Sequence, residues 1–221
     1  CVYTDKDYLP RWFTDYIYNL YVDKCKLKGK DPVLYALAKA KLNSCYGMCV
    51  QKTVKETVTE IYLTGDYIAD IGLNEEEEYN KVMSKRSALL PYQWGCWVTS
   101  YAFRNLFRLG DCTNDPVHDW IYSDTDSVYG QNWVQSKLDS YNQHCKDLLL
   151  ANGYDAVRLD GKEYWLGVAD TDPNDDVYTE FKVMGAKRYC GRRVGDNKLH
   201  ITVAGVPKCG SDQLNDNIDN F

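Results

Sequence analysis

The sequence predicts an α+β protein, because helical and strand patterns occupy different stretches of the chain. Apolar residues recur at the helical period in residues 8–28, 33–45 and 88–108. Alternating apolar and polar residues predict a β-hairpin within residues 50–72 and four more strands after residue 162. The chain has 221 residues, 44% of them hydrophobic and 26% charged, which is typical of a globular protein with a substantial core.

Composition argues against a membrane span and against export. No run of 18 or more apolar residues occurs, and the chain does not begin with the charged-then-apolar pattern of a signal peptide. The nine cysteines are odd in number and scattered, with no Cys-x-x-Cys pair. We therefore expect reduced thiols in a cytosol, which is a cytoplasmic location, and no zinc site.

The net charge of −6 would by itself argue against a nucleic-acid partner, but the charges are unevenly distributed. Residues 181–209 hold seven Lys and Arg against one Asp, and residues 24–30 hold four lysines. Residues 110–180 instead carry 15 acidic and 4 basic residues. This distribution predicts a nucleic-acid track along local basic stripes, with acidic surface facing away from it.

The first two predicted helices form an antiparallel pair. The helix over residues 8–28 ends at Gly29, and the next begins at Asp31, an N-cap residue followed by proline at the first helical position. Gly47 stands where this second helix would end.

The second helix carries one polar and aromatic stripe beside one apolar stripe. Residues at helical spacing give the first stripe as Tyr35, Lys39, Asn43 and Tyr46, and the second as Leu34, Ala38, Leu42 and Cys45. A solvated lysine face is the ordinary alternative for any single lysine. A stripe that combines a cation, an amide and a phenol suits phosphate, base edge and sugar.

The remaining elements follow in order from local patterns. We predict a hairpin at residues 50–72, with its turn at 64–66, and a solvated acidic run at 75–78. A helix with a core-facing aromatic side follows at residues 88–108, then a turn-rich loop at 110–115. Another helix is predicted at residues 134–152 and is closed by Gly153. The later strands are predicted at residues 163–168, 177–183, 187–194 and 199–203.

A second hairpin, around residues 120–129, carries two aspartates at its tight turn. Asp124 and Asp126 are two residues apart, so in extended chain they would point to the same face. Two such carboxylates repel each other, so unless one of them takes a proton, they favour a hard divalent cation such as Mg²⁺. The alternatives are a surface Asx turn and a calcium loop. The calcium loop is excluded because Val128 and Tyr129 stand where an EF-hand needs an oxygen ligand and a glycine.

Three segments resemble motifs of family B DNA polymerases. Residues 122–127 read Tyr-Ser-Asp-Thr-Asp-Ser and resemble motif C. Residues 39–47 read Lys-Ala-Lys-Leu-Asn-Ser-Cys-Tyr-Gly and are similar to motif B. Residues 187–189, Lys-Arg-Tyr, resemble the K-x-Y motif that lines the primer terminus in this family. The short interval of 74 residues between Gly47 and Tyr122, with the position of the K-x-Y segment, is most like the phage protein-primed members.

The resemblance implies a polymerase palm, an antiparallel sheet backed by helices, with a two-helix fingers subdomain. It divides the chain into fingers at residues 1–49, a hairpin insertion at 50–87, palm at 88–208 and a loose tail towards a missing thumb at 209–221. In the phage-type members, the insertion helps to encircle DNA, whereas a simple palm hairpin is the alternative here.

The resemblance also implies a function for individual residues. Two Mg²⁺ ions would be bound by Asp126, with Asp124 as a second ligand or as a residue that holds the geometry of the site. The incoming nucleotide would be bound by Lys39, Asn43, Tyr46 and Lys28, with Lys26 as the alternative to Lys28. The DNA would be contacted by Ser44, Gly47, Thr125, Ser127, Lys187 and Tyr189.

Two parts of a complete family B polymerase are not found in the sequence. No Asp-x-x-Ser-Leu-Tyr-Pro strand of motif A precedes Lys39, and there is no exonuclease domain. We therefore expect part of a DNA-templated DNA polymerase that is inactive by itself, in the cytosol of a bacterium and encoded by a phage or mobile element. Its expected partners are primer-template DNA, dNTPs, the missing N-terminal half and a terminal protein primer. The alternative is a non-catalytic DNA-binding or assembly fragment of a split polymerase.

Overall fold

The computed structural model describes residues 9–50, 54, 58–61, 66–69, 74–85, 92–172, 174 and 176–221. They belong to two compact units, Cys1–Tyr101 and Ala102–Phe221, which we call the first and the second unit. The predicted α+β class is confirmed, because helices occur together with small antiparallel sheets. The finer division into fingers, insertion and palm stays a prediction.

The first unit begins with the predicted pair of helices, α1 (Arg11–Leu27) and α2 (Pro32–Cys49). The turn between them contains Gly29 in the left-handed region at φ 77°. Asp31 caps α2 by accepting hydrogen bonds from the backbone N–H groups of Val33 (3.0 Å) and Leu34 (2.9 Å). The helix continues through Gly47, contrary to the prediction that it would stop there, because Gly47 does not take the left-handed conformation of a C-terminal cap.

The core of the first unit lies where α1 packs against α2. Phe13, Leu20 and Cys45 are buried, and Leu42 and Trp94 pack against them. Ala38 is also buried, so most of the predicted apolar stripe of α2 faces this core, whereas Leu34 is 48% exposed. The ring of Trp94 lies 4.9 Å from that of Phe13, centroid to centroid, so the helix that contains Trp94 also packs in this cluster.

Between α2 and the helix that contains Trp94, the chain forms a hairpin and a short acidic helix. β1 (Val58–Ile61) pairs antiparallel with β2 (Asp66–Ala69), as predicted, while residues 64–65 of the predicted turn lie outside the described residues. The predicted solvated acidic run is the first turn of α3 (Glu75–Met83), where negative side chains stabilise a helix. α4 follows (Tyr92–Gly110), and the predicted start of that helix at residues 88–91 also lies outside the described residues.

The described residues of the second unit form one α-helix, two 3-10 helices and three small antiparallel sheets besides the end of α4. The elements are β3 (Trp120–Asp124), β4 (Ser127–Gly130), α5 (Gln135–Ala151), β5 (Val157–Leu159), β6 (Lys162–Tyr164), β7 (Tyr178–Gly185), β8 (Arg188–Arg193) and β9 (Leu199–Val203). β3 pairs with β4 and β5 with β6, and the third sheet has the order β7-β8-β9. β5 was not predicted, because three residues are too few to show an alternating pattern.

The last fourteen residues are not loose, unlike the tail that the sequence predicts. They form two 3-10 helices, Lys208–Leu214 and Ile218–Asn220. Leu214 is buried in one cluster with Cys190, Leu199 and Ile201 of the β7-β8-β9 sheet, and Ile218 and Phe221 pack against this cluster. A small number of apolar residues is enough to dock a polar segment when the face of a sheet is available. The local composition of the segment does not reveal that such a face is present.

Two basic side chains of the sheet hold this C-terminal segment by its backbone. The Lys182 ammonium donates to the carbonyl oxygens of Ile218 (3.4 Å) and Asp219 (3.3 Å). The Arg192 guanidinium donates to the Asp216 carbonyl (3.0 Å) and carboxylate (2.6 Å), and also to Glu180 (2.8 Å). These two members of the predicted basic stripe are therefore engaged within the chain.

Candidate active site

The two aspartates of the motif C-like segment lie at the tip of the β3-β4 hairpin, as predicted. Asp124 is the last residue of β3, and Thr125 and Asp126 form the turn, with Asp124 paired to Ser127 across it. The Asp124 carbonyl accepts from the Asp126 backbone N–H (2.7 Å) and from the Ser127 hydroxyl (3.0 Å). The extended geometry expected between the two acids is wrong, because Thr125 has φ 59° and turns the chain between them.

Asp124 is paired with a lysine from a distant part of the sequence. Lys187 Nζ lies 2.7 Å from Asp124 Oδ1, and the Thr125 hydroxyl donates to the same oxygen at 3.0 Å. The Lys187 ammonium is the main cause that lowers the pKa of Asp124, and the same hydrogen bond raises the pKa of Lys187. Asp124 is therefore ionised and charge-balanced at neutral pH, while Asp126 is exposed.

The turn between β7 and β8 delivers Lys187 to this position. Lys187 has φ 53°, and its backbone N–H donates to the Tyr122 hydroxyl at 2.8 Å. Tyr189, two residues on, places its ring 5.2 Å from that of Tyr122 and its hydroxyl 2.9 Å from that of Tyr129. The segments that resemble motif C and the K-x-Y motif are thus joined by one ion pair, one hydrogen bond to the Tyr122 hydroxyl and one ring contact, and Tyr129 adds a hydrogen bond just outside the first segment.

A layer of aromatic rings supports this junction, and sequence reasoning gave its members no role. The Tyr129 and Phe181 rings stack at 4.9 Å with 15° between their planes, and Tyr178 lies 5.4 Å from Phe181. Burial is the main cause that raises the pKa of Tyr129 and of Tyr178, so both phenols stay protonated. Gly191 permits this packing, since a Cβ there would lie 2.5 Å from Tyr178 Cδ1. The aromatic residues within the predicted strands were the feature of the sequence that could have indicated this layer.

A buried carboxylate at the other end of the hairpin was also missed. Asp119 is 5% exposed and accepts from the backbone N–H of Asp115 (3.0 Å) and the side-chain amides of Gln131 (3.2 Å) and Asn132 (2.8 Å). The Asn132 bond is the main cause that lowers the pKa of Asp119. This network fixes the loop that enters β3 to the residues that leave β4, so its role is to hold the hairpin and not to do chemistry.

The motif B-like residues lie on α2 in the first unit. Lys39, Asn43, Ser44, Tyr46 and Gly47 are all exposed, whereas Tyr35 of the predicted stripe is half-buried. The Ser44 hydroxyl donates to the Ala40 carbonyl (2.7 Å) one turn back in the helix. The exposed face therefore presents an ammonium, an amide and a phenol along successive turns, as the predicted stripe requires.

Lys28 directly follows α1, in the short turn that leads to α2. Its backbone N–H donates to the carbonyls of Lys24 (3.2 Å) and Cys25 (3.4 Å), which closes the helix, and its side chain is exposed. Lys26 is exposed as well, so position and exposure leave both lysines as candidates for the same role.

At the hairpin tip, the exposed Asp126 carboxylate is the kind of ligand that a hard cation prefers, whereas the Asp124 carboxylate is already paired with Lys187. Within the described residues, no group of three or more His, Cys, Asp and Glu side chains is arranged to hold a metal ion. Asp124 and Asp126 would therefore form part of a site and not a whole one. None of the described helices is long and apolar enough to cross a membrane.

Comparisons with models of known protein families, with curated proteins and with solved structures found no match to this chain.

Proposed function

We propose that this chain is the nucleotide-binding and primer-binding part of a DNA-templated DNA polymerase of the family B type. The single observation that carries the proposal is the 2.7 Å ion pair between Lys187 and Asp124. The resemblance assigns residues 122–127 and 187–189 to one site although Asp124 and Lys187 are 63 positions apart in the sequence. A chance likeness of two short motifs gives no reason for their charged side chains to meet, so the contact supports a common origin of both likenesses.

The ion pair also favours different roles for the two aspartates. Asp126 is exposed, and it is the carboxylate proposed to ligate Mg²⁺. Asp124 is held by Lys187 and Thr125, which favours the role of positioning Lys187 over that of a metal ligand. The Lys187 side chain is 58% exposed although it is paired with Asp124, so it would remain accessible to the phosphates or base edges of the primer.

The reaction proposed is nucleotidyl transfer. The primer 3′-oxygen forms a bond to the α-phosphorus of the dNTP, the bond from that phosphorus to the bridging oxygen of pyrophosphate breaks, and the hydroxyl proton leaves to solvent. Mg²⁺, when bound, would lower the pKa of the 3′-hydroxyl and offset negative charge on the phosphates. On α2, Lys39 would pair with the triphosphate, Asn43 would steady the helix against it, and Tyr46 would pack on the sugar and the nascent base pair.

The remaining predicted contacts follow from exposure and position. Ser44, Gly47 and Thr125 are exposed and Ser127 is half-buried, so the first three are accessible to DNA without rearrangement. Tyr189 is held by other aromatic rings, and it would act by shaping the primer surface. The proposed partners are a primer-template, dNTPs, an N-terminal polymerase half that supplies the motif A aspartate and, for protein priming, a terminal protein.

Primer extension tests the proposal. Supplied with an N-terminal polymerase half that carries motif A, the chain should extend a primer with Mg²⁺ and dNTPs, and Asp126→Ala should abolish extension because a metal ligand is lost. Asp212→Ala, which removes an exposed acid from the C-terminal segment, is the matched control and should extend normally. Normal extension by Asp126→Ala would show that the site is wrongly assigned.

The isolated chain provides the second arm of the test. It should bind primer-template DNA in a salt-dependent way without extending it, because the motif A aspartate is missing. Binding that persists without extension even when the N-terminal half is present would favour the non-catalytic alternative, a DNA-binding or assembly fragment.

A further inference from the structure

The C-terminal end of α2 docks onto the N-terminal half of α4 through two matched pairs of residues in the first unit. At Gly95 the helices approach so closely that a Cβ would clash with the Val50 side chain. One turn along both helices, the Tyr46 hydroxyl lies 3.0 Å from the Thr99 hydroxyl. Tyr46 lies in the last turn of α2 and Val50, four residues on, is the residue that follows the helix directly. Gly95 and Thr99 are four residues apart on α4, so they share one face of that helix.

The hydrogen-bond inventory fixes the direction of the contact between the two hydroxyls. Thr99 has a single hydroxyl proton, and it is donated to the Gly95 carbonyl at 2.9 Å. The Thr99 oxygen therefore accepts, and Tyr46 donates. Tyr46 as a whole residue remains 41% exposed although its hydroxyl is hydrogen-bonded.

An exposed aromatic side chain on a helix normally samples more than one rotamer. A hydrogen bond from its far end to a neighbouring helix selects one of them. A side chain that is already ordered loses less conformational entropy when a ligand packs against it, which raises the affinity for that ligand. The close approach at Gly95 supplies the rigid base that such a contact needs.

We propose that Thr99 is a positioning residue for Tyr46, and that it holds the tyrosine ring ready for the incoming nucleotide. The proposal rests on the proposed function, because it is the polymerase resemblance that gives Tyr46 a nucleotide to bind. Thr99 itself lies outside the segments that resemble polymerase motifs.

The first experiment measures the contact directly in the 221-residue chain. Tyrosine labelled with ¹³C at the ζ carbon reports hydrogen bonding of its phenol in NMR spectra, and Tyr46→Phe assigns the signal of Tyr46. Thr99→Val, which keeps the shape but removes the hydroxyl, should shift this signal, whereas Thr99→Ser should leave it in place. An unchanged signal in folded Thr99→Val would overturn the proposal.

The second experiment measures the affinity for dATP with Mg²⁺, in the presence of a primer-template whose next template base is dT. Thr99→Val should weaken binding about three- to tenfold, the loss expected for one hydrogen bond that orders a contacting side chain. Thr99→Ser should restore it. Ser100→Ala is the matched control, because Ser100 makes the same kind of bond to a carbonyl one turn back (2.8 Å, to Cys96), and its affinity should stay within about twofold.

The outcomes separate this proposal from the function on which it rests. Lys39→Ala should abolish dATP binding, and a wild-type chain that binds no dATP, or binds it equally with and without Lys39, would count against the nucleotide site as a whole. Loss of binding in Lys39→Ala but equal affinity of Thr99→Val and wild type would overturn the positioning role alone. Far-UV circular dichroism of Thr99→Val checks that α4 is retained, and Thr99→Ser tests the role should Thr99→Val fail to fold.

Discussion

Asp124 and Asp126 are chemically identical and two residues apart, yet the chain gives them different surroundings. The Asp124 side chain is 17% exposed and bonded to a lysine ammonium, whereas Asp126 lies exposed in the turn. The difference arises from Lys187, whose left-handed backbone is stabilised by the Tyr122 hydroxyl. A non-glycine residue in that conformation is uncommon, and it needs such outside support to persist.

Stability should depend on the ionisation of Asp124. Its pKa is lowered in the folded state, so its contribution is present above the ordinary value of 3.8 and is lost as the pH falls through the lowered pKa. In urea unfolding, Asp124→Asn should be less stable than wild type at pH 7, and the two should converge as the pH falls below about 4. Lys187→Met should converge with wild type over the same range.

A constant difference between Asp124→Asn and wild type from pH 7 to pH 3 would contradict this prediction. It would mean that the asparagine disturbs packing at the hairpin tip, and that the ion pair contributes nothing that depends on charge.

The sequence could place both acids at a hairpin tip, because strand-forming residues flank a short polar turn. It could not place Lys187 beside one of them, since no local pattern connects residues 63 apart. The same limit applied to Asp119, whose buried network depends on loop residues from both sides of the hairpin.

At the scale of elements, the C-terminal segment is stabilised by a small apolar cluster. Leu214 is 8% exposed and packs with Cys190, Leu199 and Ile201. Leu214→Ala should lower the free energy of unfolding by about 2–5 kcal/mol, the range for removing a buried leucine side chain. Urea denaturation followed by circular dichroism measures the change.

The control for this prediction is Leu150→Ala on α5, where the leucine is 52% exposed. It should change the unfolding free energy by no more than about 0.5 kcal/mol. Equal effects of the two substitutions would show that the last residues of the chain do not dock onto the β7-β8-β9 sheet in solution.

Elements with strong local signals were predicted well. Asp31 followed by proline located the start of α2, and Gly153 (φ 77°) follows the end of α5 as expected. Pairing between strands was predicted only for hairpins, because a tight turn brings its own neighbours together. The three strands of the β7-β8-β9 sheet are also joined by short turns, but the C-terminal segment that covers the sheet depends on packing across the unit, which periodicity does not encode.

At the scale of the whole molecule, the protein has a net negative charge. The proposed DNA binding is compatible with this charge only if enough basic side chains remain exposed to contact DNA phosphates. Lys182 and Arg192 are bonded to the C-terminal segment, whereas Arg188, Lys198 and Lys208 are exposed. Lys187 is paired with Asp124 but is exposed as well. The predicted basic stripe therefore has two functions, because part of it stabilises the fold and the rest can face phosphate.

Salt dependence separates the two groups. If Arg188 contacts a DNA phosphate, Arg188→Ala should reduce the slope of log K against log salt concentration by about one. Lys182→Ala should leave this slope unchanged and instead lower stability, because its ammonium is bonded to the C-terminal segment. Fluorescence anisotropy with labelled duplex DNA over a series of salt concentrations provides the measurement, and equal slopes for all three proteins would exclude Arg188 from the interface.

The hydrogen bonds that hold the C-terminal segment affect which substitutions its sequence can accept during evolution. Three of the contacts from Lys182 and Arg192 end on carbonyl oxygens, which every amino acid offers equally. Homologues should therefore vary in identity at position 219 and keep only an apolar residue at 218. Position 216 should stay restricted, because the Asp216 carboxylate is bonded to Arg192 and its backbone is left-handed at φ 57°. Loss of the cation at 182 or 192 should be the rarer event and should coincide with a rerouted or truncated terminus.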